Sequence, residues 1–195
     1  MVAALGALAT SCSSGGSAGE VPTADEPATV RIPAPDATGL VVTPEGTILA
    51  ASRTTGNVVE IDPDTGESYA QVPIPGVDAS LAQGGLLGLV VEEDDLVASY
   101  TNDEGHLVVA KLFETPLEGP PRWTGPVASE EAIGGRLALL GDGTLLIGVG
   151  DLGDPSLADD PSAPNSKILA SGSDCPTRPW PTGSNNPLAF ANDGD

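Results

Sequence analysis

Few side chains in this sequence can move a proton, attack a substrate or hold a metal at neutral pH. The single histidine among 195 residues, His106, is the default general-base candidate because its charge changes near neutrality. It opens the apolar run Leu107 to Leu112, a position that suits a satisfied strand-end residue better than a catalyst. Of two cysteines, Cys175 lies in a Pro-rich Asp-Cys-Pro loop with nothing nearby to lower its thiol pKa, so it reads as an unpaired or externally partnered thiol. Asp151, Asp154, Asp159 and Asp160 gather in one polar stretch and are the candidate calcium ligands, since calcium takes about 6 to 8 oxygens. A second acidic run, Asp62-Pro63-Asp64-Thr65-Gly66-Glu67, begins like a calcium loop but lacks the distal bidentate Glu, and is expected to be a tight turn. The sequence contains no Gly-rich phosphate loop, zinc-ligand spacing or nucleophilic triad.

Such residues act only where secondary structure holds them, and here the elements recur. Thr47–Ser52, Asp95–Tyr100 and Thr144–Val149 align, spaced 48 residues from Ile48 to Leu96 and 49 from Leu96 to Leu145. Each follows an apolar strand that opens with Gly-Leu or Gly-Arg-Leu, at Gly39–Val42, Gly85–Val91 and Gly135–Leu140. The turns Thr43-Pro44-Glu45-Gly46, Glu92-Glu93-Asp94-Asp95 and Gly141-Asp142-Gly143 join the pairs, which is a hairpin pattern repeated three times. A third strand follows at Asn57–Ile61, Leu107–Leu112 and Lys167–Ala170, and a fourth is visible at Tyr69–Ile74 and weaker in later units. Four short antiparallel strands at this period predict an all-β chain of β-propeller blades, whose repeat is about 40 to 50 residues. An insertion from Asp151 to Asn165 stretches the third unit at a blade end, where propellers build binding sites. The 158 residues from Thr38 to Asp195 amount to about three blades, whereas closed propellers have about 4 to 8. Such an arc leaves strand edges and an apolar blade face open, so further blades or a second chain are expected to close it.

Composition sets the outer bounds. With 28 acidic against 7 basic residues the net charge is -21, which repels phosphate backbones and excludes nucleic acid as a partner. Gly 25 and Pro 19 favour turns between short strands over a helical bundle. The uncharged run Val2 to Thr10, then Ser11-Cys12 and a Ser/Gly tract, resembles a bacterial lipoprotein signal ending in a lipobox. It departs from that pattern in having no Lys or Arg before the run, and Ala9 where Leu is more usual. The run is too short to span a bilayer, which takes about 20 apolar residues. Residues 1–12 are therefore expected to be a signal with Cys12 lipidated, and residues 13–37 a flexible linker holding a first strand near Thr29–Ile32. The propeller part then occupies residues 38–195, and the protein is exported and anchored to the cell membrane, or extracellular or periplasmic.

Several motifs carry a family resemblance. Gln83-Gly84-Gly85-Leu86-Leu87-Gly88-Leu89 resembles the Gly-Leu-Leu-Gly motif of soluble quinoprotein glucose dehydrogenases and the related sorbosone and aldose sugar dehydrogenases. Gly134-Gly135-Arg136-Leu137, Gly141-Asp142-Gly143 and Gly150-Asp151 are similar to that family's Gly-Gly-Arg-Leu, Pro-Asp-Gly and Thr-Gly-Asp sequence. Asn165-Ser166-Lys167-Ile168-Leu169 and Asn186-Pro187 resemble the stretches that follow, in the family's order. The resemblance implies pyrroloquinoline quinone (PQQ) at the mouth of a six-bladed propeller, calcium, and oxidation of an aldose sugar at its anomeric carbon. It implies that Gln83 contacts the cofactor; Arg136 is a second candidate there because it could clamp a carboxylate, although an Arg at a strand start more often pairs with Asp or Glu. It also implies that Asp151 orients a catalytic histidine and that Glu131 is that histidine's acidic neighbour. Ala132 occupies the histidine's own position, and alanine cannot accept a proton. Two readings follow: a partial quinone-dependent sugar dehydrogenase lacking its base, or a non-catalytic propeller module that binds a ligand or protein at the cell surface.

Overall fold

Val, Ile and Leu dominate the runs between turns, and their β-branched and apolar side chains suit a pleated surface that buries at least one face. The computed structural model describes residues 36–112, 120–172, 177–183 and 187. Cys12, Cys175, Asn186 and the strand expected near Thr29–Ile32 lie outside them. The described chain forms three four-stranded antiparallel sheets, so the fold is that of β-propeller blades, as the repeat predicts. Blade 1 comprises β1 (Ala37–Val42), β2 (Ile48–Ser52), β3 (Asn57–Ile61) and β4 (Ser68–Pro73). Blade 2 comprises β5 (Leu86–Glu92), β6 (Asp95–Thr101), β7 (His106–Lys111) and β8 (Trp123–Val127). Blade 3 comprises β9 (Gly134–Leu139), β10 (Leu145–Val149), β11 (Lys167–Ser171) and β12 (Arg178–Gly183), with one 3-10 turn, Pro155–Asp159, in its insertion. Two fourth strands thus form where the sequence pattern was weak.

Strand order within each blade follows the chain, and β1, β5 and β9 lie against one another as the innermost strands. The middle blade is covered on both faces, which is why its strands read as nearly continuous apolar runs. Alternate residues of β6 and β7 divide between two cores. Val97, Leu107 and Val109 pack toward blade 3 with Ile133, Leu145 and Ile147. Ala98, Val108 and Ala110 pack toward blade 1 with Ala51, Val58 and Ile74. Among the described residues only one face of blade 1 is covered, and Leu40 and Val42 of β1 are left 61% and 60% exposed.

Blade-to-blade contact is close enough to require glycine. A Cβ on Gly39 would lie 2.9 Å from the Leu89 amide nitrogen, and one on Gly88 would lie 2.7 Å from the Gly135 carbonyl. Polar bonds complete the seam. Thr38 Oγ1 donates to the Leu86 carbonyl at 2.5 Å, and the buried Ser99 hydroxyl donates to the Gly135 carbonyl. At the opposite edge Arg122 grips both carboxylate oxygens of Glu92 at 2.6 and 2.7 Å and reaches the Ser171 carbonyl at 2.9 Å. This bidentate pair ties blade 2 to blade 3 and is only partly exposed, so salt screens it weakly.

Candidate functional site

Up-and-down strands send alternate connections to the same end of each blade. The β2–β3 turn, the β4–β5 link, the β6–β7 turn, the β8–β9 link and the long β10–β11 loop therefore share one end. Gln83, Glu131, Ala132 and Asp151 all fall on these connections. The structure brings three of the positions together. The Ala132 amide donates to Gln83 Oε1 at 2.9 Å, and the Ala132 carbonyl accepts from the Leu152 amide at 3.2 Å, next to Asp151. A second bond runs the other way between the same two links, with the Ala82 amide donating to Glu130 Oε2 at 3.0 Å. These paired bonds fasten the link entering blade 2 to the link entering blade 3.

The backbone of this patch is strained. Ala132, Leu152 and Ser166 have φ of 52°, 55° and 58°, left-handed values uncommon for residues with a Cβ. Gly150 beside them has no alternative, since a Cβ there would sit 1.7 Å from the Ala132 carbonyl. Asp151 Oδ1 accepts from the Gly153 amide at 2.8 Å, and its own carbonyl accepts from Asn165 Nδ2 at 2.9 Å. Glu131 is exposed, with its backbone amide and carbonyl bonded to the Ser129 hydroxyl. The Ala132 side chain is a methyl group, which cannot accept a proton.

Two of the four aspartates read as calcium candidates, Asp154 and Asp160, accept hydrogen bonds from their own loop. Asp154 Oδ1 accepts from the Ser156 amide at 3.1 Å and its hydroxyl at 2.5 Å, while Asp160 Oδ1 accepts from Ser162 at 2.8 and 2.7 Å. The carboxylates cap their own turns, as Asx residues do. Asp159 ends the 3-10 turn and is exposed. Among the described residues no three His, Cys, Asp or Glu side chains gather as a metal site. Asp151, Asp154, Asp159 and Asp160 therefore do not form the expected cluster. The run from Asp62 is a turn: Asp62 Oδ1 accepts from the Asp64 and Thr65 amides at 2.7 and 3.1 Å.

Arg136, expected at the cofactor, instead faces the inner seam. Its Nη1 donates to the Leu87 carbonyl at 2.6 Å and to the Thr38 carbonyl, joining the first strands of all three blades. Burial lowers its pKa, yet an arginine starts so high that it stays charged at neutral pH. His106 is half-buried, and its Nδ1 pairs with the Gly125 carbonyl at 2.8 Å, which is the satisfied strand role read from its position.

Two functional-end residues escaped the sequence reading. Lys167 is 7% exposed, and its ammonium donates to the Leu157, Ala158 and Asn165 carbonyls at 3.1, 3.0 and 3.0 Å, pinning the inserted loop. Its place in the strand motif signals a helper of the loop only once the loop's path is known. Arg53 Nη1 donates to the Ala82 and Gly84 carbonyls at 2.9 and 3.3 Å, on either side of Gln83. No local pattern marks it, because it opens the turn after β2 in the blade before.

Solved structures similar to this chain include several sugar dehydrogenases. The PQQ-bound form of the aldose sugar dehydrogenase of Streptomyces coelicolor is 28% identical, with a TM-score of 0.63 over 77% of this chain and 49% of that one. A putative oxidoreductase (glucose dehydrogenase) of Thermus thermophilus is 25% identical, with a TM-score of 0.58 over 70% of this chain and 43% of that one. The soluble aldose sugar dehydrogenase of Escherichia coli, 22% identical, shares the fold with a TM-score of 0.56 over 70% of this chain and 44% of that one. The chain therefore spans less than half the length of these structures. No protein-family model matches the sequence, and no curated protein aligns with it significantly. Fold and partial site together define a partial β-propeller similar to PQQ-dependent sugar dehydrogenases.

Proposed function

We propose that this chain carries the Gln83–Ala132 part of a PQQ-dependent aldose-oxidising propeller site, able to hold the quinone side but lacking the proton-accepting step. The observation that carries this is the 2.9 Å bond from the Ala132 amide to Gln83 Oε1, which sets the cofactor-contacting and base positions of the resemblance side by side. The residues present suit an anionic, planar quinone. Gln83 is exposed and its Nε2 has no partner among the described residues, so it can donate to a carbonyl or carboxylate. When bound, PQQ would supply the hydride acceptor for an oxidised sugar. The chain's own contribution is positional: Gln83 would orient the cofactor, the Ala132 carbonyl holds the Leu152 amide, and Asp151 stands at the sequence position that the resemblance gives to a histidine-orienting carboxylate. The calcium donors do not fit among the described residues, so no step is assigned to that ion.

Ala132 supports the second reading, a non-catalytic propeller that binds a ligand or a protein. Export and lipid attachment at Cys12 belong to the same proposal and rest on the sequence of residues 1–17 alone. The test is equilibrium binding of PQQ to the purified chain, with dye reduction measured after aldose is added. Binding without dye reduction is expected. Dye reduction by the unmodified chain would show that Ala132 does not stand at the base position, and absence of PQQ binding would overturn the cofactor reading.

A further inference from the structure

We infer that Arg53 is the anion anchor of this end face, taking a carboxylate of the ligand beside Gln83. The identity of that ligand rests on the PQQ reading above, whereas the anion chemistry does not. Nη1 is fixed by the Ala82 and Gly84 carbonyls, while Nε and Nη2 have no partner among the described residues. A guanidinium held on one side by backbone and open on the other is pre-organised for a planar carboxylate. It also sits in the right place, since the two carbonyls that hold it flank Gln83 in the chain.

Charge makes the assignment sharper. A ligand with several carboxylates approaching a chain of net charge -21 needs a local cation. The other described cations are committed or distant. Lys111 pairs with Asp95 at 2.6 Å and Arg122 with Glu92, both at the opposite end of the blades. Arg178 opens β12 at that same far end. The Arg136 and Lys167 head groups donate to backbone carbonyls inside the fold. Arg53 is thus the described cation that faces the candidate site with donors to spare.

Binding of two probes to the full chain, each by equilibrium dialysis, tests this: PQQ, and pyridine-2,4,6-tricarboxylate, which has the carboxylates without the quinone. Arg53→Gln should weaken both by about 10- to 100-fold, the weight of a charge-assisted hydrogen bond. Arg53→Lys keeps the charge and a donor for the two carbonyls but loses the planar fork, and should lie between. Arg178→Gln makes the same change in net charge and should alter binding by less than about twofold. Circular dichroism confirms that each variant is folded. PQQ bound equally by the parent and Arg53→Gln overturns the anchor and leaves the cofactor reading intact. Tricarboxylate binding that depends on Arg53, with no PQQ binding, overturns the cofactor reading and supports the anchor. Binding of neither probe overturns both.

Discussion

Replacing Lys167 by methionine removes the ammonium from the inserted loop while keeping a stem of similar volume. The ammonium bonds three carbonyls at 3.0 to 3.1 Å, two of them in the Pro155–Asp159 turn. Each hydrogen bond to a charged group contributes about 1.5–3 kcal/mol, but taking an ammonium out of water costs several kcal/mol. The net loss is therefore expected near 2–4 kcal/mol rather than the sum of three bonds. Most of it should appear as opening of the loop, because the 3-10 turn buries no residue and water can reach the freed carbonyls once it lifts. A local loss of about 2 kcal/mol speeds amide exchange roughly 30-fold. Hydrogen exchange read by NMR should show that acceleration at Leu157, Asp160 and Ala163, whose amides bond within the loop. Exchange in β6 and β7 should change far less. Unchanged protection across those three amides would refute the view that Lys167 holds the loop in place.

Two further outcomes follow from blade packing and from titration. Gly88→Ala puts a methyl 2.7 Å from the Gly135 carbonyl and 3.2 Å from the Leu137 amide, so blades 2 and 3 must separate. Urea unfolding should show a loss of about 1–3 kcal/mol, whereas Gly46→Ala, in open space, should show only the backbone cost of its positive φ. Asp36 is held below the ordinary carboxylate pKa, first by the Thr54 hydroxyl and then by Ser52. A depressed folded pKa stabilises the fold above the unfolded value, near 3.9, and that share is lost as pH falls through the folded value. The thermal midpoint of Asp36→Asn should lie below that of the parent by a constant gap above about pH 5, and the gap should close in stronger acid. A gap that widens on acidification would reverse the sign and sink the assignment.

The inner three strands of each blade were legible because hairpin turns and apolar runs mark them within a residue or two. The fourth strands of blades 2 and 3 were not, for a reason visible in their composition. β8 contains Gly125 and Pro126, and β12 contains Pro179 and Pro181, residues that argue against a strand when read locally. Both strands are blade edges, where one row of amides has no ladder partner and proline is tolerated. Gln83, Ala132 and Asp151 were singled out by resemblance alone; the bonds from the Ala132 amide to Gln83 and from the Leu152 amide to Ala132 are visible only in the structure. The motif position of Arg136 does not reveal that its side chain turns into the seam between inner strands. In the acidic loop, four aspartates in ten residues suggest a cation, but spacing cannot show that Ser156 and Ser162 donate to two of them.

The candidate site is built mainly from backbone, which explains how it persists with alanine at its centre. Three of the four described non-glycine residues with left-handed φ, Ala132, Leu152 and Ser166, lie on the two connections that meet there. Each is held by an amide or carbonyl from another part of the patch: Ala132 by Gln83 and Leu152, and Ser166 by the Gly150 carbonyl at 2.8 Å. Left-handed conformations cost about 1–2 kcal/mol per residue, and they survive where surrounding bonds over-determine them. Loss of a side chain at position 132 removes none of those bonds, because both run through its peptide groups. Under the proposed function, geometry for binding and capacity for proton transfer are therefore separable: the first would rest on the Gln83 link and the inserted loop, and the second on a side chain that alanine does not have.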